Sequence, residues 1–230
     1  MKLRIKFSKF GTMKFIGHLD TQRYFQKLIR RAGIPAAYTE GFSPHQKLSF
    51  AQPLGVGVES RGEYFDLEIV DERAEGLSSA EIIKRLNATK AEGIEVTGCV
   101  RLDEKAKNAM ASVFAADYLL DLKEGFECPF DMDKAIKDFN NAKSYILVKE
   151  TKKTKRELEL KDLVYKLKIE GSSVFIRLNA ASGSSVKPML IIEDFYNKRG
   201  YAFVPNSWLV TRLEIYSDGF MPLIKVGEDF

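Results

Sequence analysis

The sequence holds two histidines, His18 and His45. A pair of imidazoles can work on one phosphodiester. One ring takes the proton of a 2′-hydroxyl while another group protonates the leaving oxygen. The same stretch carries Arg23, Lys27, Arg30 and Arg31 after His18, and Lys47 after His45. Arginine's planar fork matches phosphate oxygens, and cations fixed on a helix face can track successive phosphates. Tyr38, Phe42 and Phe50 are interleaved with these cations. Rings beside cations are what stacking and charge neutralisation of single-stranded nucleic acid require. Each feature also has a plainer reading: His18 opens a helix, His45 satisfies loop carbonyls, and the cations sit on a solvated face.

From these residues, His18, Asp20, Phe42, Ser43 and His45 are expected to line one cleft. The cations Arg4, Lys6, Arg23, Lys27, Arg30, Arg31 and Lys47 are expected to meet a nucleic acid. No residue is assigned a catalytic role. With no third ligand at metal spacing, no metal site is expected. The phosphate-loop pattern GxxxxGK[ST] and the dinucleotide pattern GxGxxG are both missing, so no nucleotide cofactor is expected. Two distant cysteines, Cys99 and Cys128, cannot supply the three thiolates of a radical-enzyme iron–sulfur cluster. They also imply no disulfide framework, so the expected compartment is the cytoplasm.

Charge is placed unevenly. Residues 1–62 hold eleven Lys and Arg against three acids, a balance of +8, and the chain's +4 leaves −4 for the remainder. Such asymmetry turns one part of a protein toward an anionic partner. A chain of 230 residues with 45% hydrophobic and 30% charged residues has the composition of a globular protein of one or two domains. No apolar run reaches the ~20 residues of a membrane helix, and the alternating start MKLRIKFSKF does not read as a signal peptide.

The elements follow from periodicity. Leu3, Ile5 and Phe7 alternate with Lys2, Arg4 and Lys6 as in a strand. Over 18–32, Leu19, Phe25, Leu28, Ile29 and Ala32 recur at helical spacing; Gly33 and Pro35 then end the helix. On that helix Arg23, Lys27, Arg30 and Arg31 fall at i, i+4, i+7 and i+8, one face. Short strands follow at KLSFA and EYFDLEIV, a helix over 80–89 capped by Ser78 or Ser79, and the strand IEVTGCVRL. The order strand, helix, strand, strand, helix, strand predicts a ferredoxin-like unit.

The second half reads as FAADYLLDL, a helix over 132–141, strands flanking a basic turn at 152–156, the hairpin YKLKIE/VFIRLNA, a helix from Pro188 to about Tyr196, and WLVTRLEIY. The expected fold is α+β: two ferredoxin-like βαββαβ-type units with antiparallel sheets, 1–105 and 106–230, the second a diverged version of the first.

Four motifs carry a family likeness: GHLD at Gly17 to Asp20, RRAGIP at Arg30 to Pro35, GFSPH at Gly41 to His45 and PLGVGVES at Pro53 to Ser60. SVKPM and VTRLEIY extend it over nearly the whole chain. By these the chain resembles the radical SAM-associated (radical SAM-linked) proteins, the domain of unknown function DUF2344. Gln46 stands where that pattern carries proline. The resemblance implies a radical SAM protein with a cobalamin-type domain as partner, and no catalytic residues to carry over. Joined to the basic segment, it leads to the expectation of a non-catalytic accessory protein that binds RNA or presents an RNA- or ribosome-associated substrate, with no DNA or membrane partner. The alternatives are a metal-independent ribonuclease-like enzyme using His18 and His45, and a pure protein–protein adaptor.

Overall fold

Strands rich in β-branched and aromatic residues alternate with amphipathic helices, and the chain folds as α+β with antiparallel pairing. The computed structural model describes residues 1–74, 76–150 and 155–230. The expected basic turn at 152–156 lies largely outside them. Contacts group residues 1–114 and 212–230 in one unit and 115–211 in another, against an expected division after residue 105.

The first unit contains β1 (Lys2–Lys9), α1 (His18–Arg31), β2 (Leu48–Phe50), β3 (Glu59–Glu68), α2 (Ser79–Ala88) and β4 (Ile94–Leu102). β1 pairs antiparallel with β3 on one side and with β4 on the other, and β2 joins the far edge of β3. Within this unit β4, β1, β3 and β2 neighbour one another in that order, and residues 212–217 also lie beside β3. Alternation puts Leu3, Ile5 and Phe7 of β1 and Phe65 and Leu67 of β3 on one face. There they bury against Phe25, Leu28 and Ile29 of α1 and Ile82 and Leu86 of α2. Each fully buried large apolar side chain stabilises the fold by ~1.5–3 kcal/mol relative to exposure. Ring packing is dense: Phe7 and Phe25 lie 4.5 Å apart, Phe25 and Phe65 4.8 Å.

α1 starts at Gly17, whose carbonyl accepts from both the backbone N–H and the hydroxyl of Thr21. Asp20 sits in its first turn and Arg30 and Arg31 in its last, the signs that the helix dipole favours. It ends at Gly33, whose φ of 66° suits glycine alone at little cost. α2 begins with Ser78 accepting from Glu81 N–H at 3.2 Å.

The second unit contains β5 (Ala115–Leu122), α3 (Met132–Asn141), the hairpin β6 (Ile146–Glu150) and β7 (Lys155–Glu159), then β8 (Val164–Glu170), β9 (Ser173–Asn179) and α4 (Pro188–Lys198). β9 pairs antiparallel with β5 and with β8. The strand β10 (Trp208–Ser217), whose residues 208–211 belong to this unit, neighbours β5, giving β10-β5-β9-β8. Ala135, Ile136 and Phe139 of α3 and Ile191, Ile192 and Phe195 of α4 are buried. Proline at the first turn of α4 matches the expected helix start.

The first unit also takes residues 212–217 of β10 and β11 (Met221–Pro222). Among the described residues, no helix is long and apolar enough to cross a membrane.

Candidate nucleic-acid interface

The basic face of α1 comes from helical spacing alone, and Arg23, Lys27, Arg30 and Arg31 are all exposed. Their ties are weak. Arg23 reaches Asp20 only at 3.5 Å, Arg30 Nε donates to Gln26 O at 3.3 Å, and an Arg31 amino group donates to Thr89 O at 3.3 Å. Guanidinium groups held this loosely keep donors for phosphate oxygens. Lys47 is exposed and pairs with Glu68 at 3.1 Å. Lys6 is drawn to Glu214 at 2.6 Å, and the same carboxylate accepts from the Tyr64 hydroxyl at 2.5 Å.

Arg4 faces inward. It is 0% exposed, with Nε 2.8 Å and a terminal nitrogen 3.0 Å from the two oxygens of Asp66, and it also donates to Lys107 O at 3.1 Å. A strand position that alternation assigns to solvent is here covered by residues that follow β4. This guanidinium is spent inside the first unit.

The two histidines occupy different surroundings. His45 is exposed on the loop whose tip is Phe42, itself fully exposed. Thr39 closes that loop: its hydroxyl accepts from His45 N–H at 3.1 Å and lies 3.2 Å from His45 Nδ1, while Ser43 O is 3.4 Å from the same nitrogen. Gly41 turns the chain there with φ of 106°. His18 stands edge-on to Phe50, ring centroids 5.4 Å apart. It lines a cavity of about 10 Å3 with Phe7, Lys9, Thr21, Gln52 and Glu63, room for a single water. His45 lines a different cavity, of about 390 Å3, with Thr39, Gln46, Lys47, Ser49 and Asn108. No residue lines both. A ligand in either cavity meets one histidine. Asp20 and Leu19 are exposed at the start of α1.

Beside His18 lies a buried charged group that sequence reading passed over. Lys9, Glu63 and Arg212 are all at most 4% exposed. Lys9 Nζ donates to Ile16 O at 2.8 Å, and Arg212 approaches Glu63 at 3.4 Å. Burial pushes the Lys9 pKa down, opposed by Glu63, and pushes the Glu63 pKa up, opposed by Arg212. Burial, with Lys9 second, holds His18 below the ordinary imidazole range. The signal was present: Lys9 follows Leu3, Ile5 and Phe7 at the same parity, and Glu63 precedes Phe65 and Leu67 at the same parity. Charges on the inward face of a strand mark an internal pair.

Among the described residues, no group of three His, Cys, Asp or Glu side chains converges to hold a metal ion. Cys99 is buried, its thiol pushed up to about 12 by that burial, and both cysteines are free thiols.

The architecture is that of an α+β protein with antiparallel sheets and an exposed basic helix. The chain belongs to the family described as "Uncharacterized protein conserved in bacteria (DUF2344)", which it matches over residues 2–188. No curated protein is matched by the sequence. The fold is similar to a chain in a crystal structure of a Cbf5–Nop10–Gar1 complex, with a TM-score of 0.46 and 13% identity. The likeness covers 93% of this chain and 48% of that one, so the present chain spans about half its length.

Proposed function

We propose that this protein is a non-catalytic accessory of a radical SAM enzyme, one with a cobalamin-type domain, and that it binds RNA and not DNA in the cytoplasm. The observation that carries the RNA-binding part is the exposed face of α1, where Arg23, Lys27, Arg30 and Arg31 share one side of a rigid element. Cations so placed neutralise phosphates without reading sequence. The radical SAM partnership rests on the resemblance of the GHLD, RRAGIP, GFSPH and PLGVGVES motifs.

We also read each unit as ferredoxin-like. The orders β4-β1-β3-β2 and β10-β5-β9-β8 support this, as does one cross-strand pair in each: Arg4 opposite Asp66, and Asp117 opposite Arg177. Both pairs are two-point, the second at 2.6 and 2.8 Å.

Purifying the full chain with its radical SAM partner and sequencing any bound RNA tests the proposal. RNA recovered with both proteins is the expected result. Recovery of the enzyme without RNA favours the adaptor reading, and RNA cleavage by the chain alone favours the ribonuclease reading. Either overturns the proposal.

A further inference from the structure

Three large apolar side chains around the start of α1 stay in solvent: Phe15 is 64% exposed, Leu19 66% and Val56 63%. Their backbone is held in place. Ile16 N–H donates to Met13 O at 3.2 Å, and Ile16 O accepts from the buried Lys9 at 2.8 Å. Gly57 N–H donates to Lys14 O at 2.8 Å, which ties the loop carrying Val56 to the turn carrying Phe15. Lys14 itself pairs with Glu59 at 2.9 Å, its Nζ 5.6 Å from the Phe15 ring centroid. Apolar side chains fixed in solvent forgo burial, and grouped together they mark a contact surface. Leu19 also heads the basic stripe. At about 100° per residue, Leu19, Arg23, Lys27 and Arg30 fall within about 80° of one another, along about 16 Å of helix. The acid of that first turn, Asp20, stands about 100° round from Leu19 and reaches Arg23 only at 3.5 Å.

We infer that Phe15 is a stacking platform for an unpaired base of single-stranded RNA whose phosphates run along the α1 stripe. The ligand that covers this surface must bring apolar faces to its head and anions to its length. Single-stranded RNA carries both in every nucleotide: a phosphate for Arg23, Lys27 and Arg30, and a free base face for the ring. A duplex offers the same phosphates but keeps its base faces stacked inside. Stacking on an aromatic ring tolerates any base, because every base has a π-face. The platform therefore selects for strandedness and not for sequence.

The inference deepens the RNA-binding proposal and rests on it, yet the two fail differently. Oligouridylate and an RNA duplex of equal length are titrated with the full chain by fluorescence anisotropy at several salt concentrations. Wild type, Phe15→Leu and Phe15→Trp are compared. Leucine keeps an apolar side chain and removes the ring. It should weaken single-strand binding roughly tenfold at every salt concentration. The salt slope should stay that of wild type, since no phosphate contact is lost. Duplex affinity should not change, and Phe15→Trp should bind the single strand at least as tightly as wild type. Both variants should melt near wild type, because the side chain is mostly in solvent. Unchanged single-strand affinity in Phe15→Leu, the result expected of an apolar contact with a protein partner, overturns the platform and leaves RNA binding standing. Duplex bound as tightly as single strand by wild type does the same. Binding of neither RNA by wild type overturns both.

Discussion

Replacing Asp66 with alanine would leave the Arg4 guanidinium buried with no counter-ion. The pair makes two hydrogen bonds, at 2.8 and 3.0 Å, between side chains 0% and 6% exposed. Solvent therefore screens little of the interaction, and Lys107 O offers the stranded charge only a partial dipole. Removing one partner of such a pair costs roughly 3–5 kcal/mol. At about 2–4 °C per kcal/mol for a chain of this size, Tm should fall by roughly 6–20 °C. The double variant Arg4→Met/Asp66→Leu removes both charges with little change in volume. It should recover most of the loss, because the desolvation cost disappears with the attraction. Thermal melts of wild type, both single variants and the double variant form the cycle that isolates the coupling. RNA affinity of the double variant should equal that of wild type, since Arg4 does not reach the surface. An Asp66→Ala cost under about 1 kcal/mol, the range of exposed pairs, would refute the buried-pair reasoning.

Two further outcomes are expected. His18 titrates below the ordinary imidazole value because of burial and then Lys9. The unfolded chain therefore takes up its proton more readily, and this contribution to stability is full above about pH 6.5 and lost as pH falls through the folded value. His18→Phe should flatten the drop in Tm on acidification, and parallel curves for the two proteins would contradict this. A Cβ at Gly62 would stand 2.6 Å from Leu213 O and 2.9 Å from Glu214 Cα. Gly62→Ala should therefore force β3 and β10 apart in the first unit at a cost of roughly 1–3 kcal/mol, read by chemical denaturation, and an unchanged midpoint would be inconsistent with that approach.

The helices were legible because apolar spacing and end signals agree. Gly33 and Pro35 close α1, Ser78 caps α2, and Pro188 opens α4. Strand β1 was legible as an element, but the surroundings of its polar residues were not. Alternation assumes water on the second face, whereas Lys107 O covers Arg4, Glu214 takes Lys6, and the Ile224 side chain lies against Gly98. These partners lie far along the chain, and no local pattern encodes them. The return of residues 212–230 to the first unit is equally long-range, and with it Arg212 reaches Glu63. Helical spacing alone placed the α1 cations on one exposed face. Gln46 is buried with neither polar atom of its side chain hydrogen-bonded among the described residues, and no pattern in the sequence marks it.

Salt titration is the sharpest probe of RNA binding through the cations of α1. Single-stranded oligonucleotide is titrated with the full chain over a range of salt concentrations, for wild type and for R23E/K27E/R30E. Release of counterions gives a log–log slope of about −0.7 per phosphate contacted. Three or four contacts along α1 thus predict a slope of roughly −2 to −3. The triple variant should flatten that slope toward zero while its Tm stays near that of wild type, because all three side chains are exposed. Wild-type binding that ignores salt, a slope unchanged in the variant, or no binding by the wild-type chain would contradict the account.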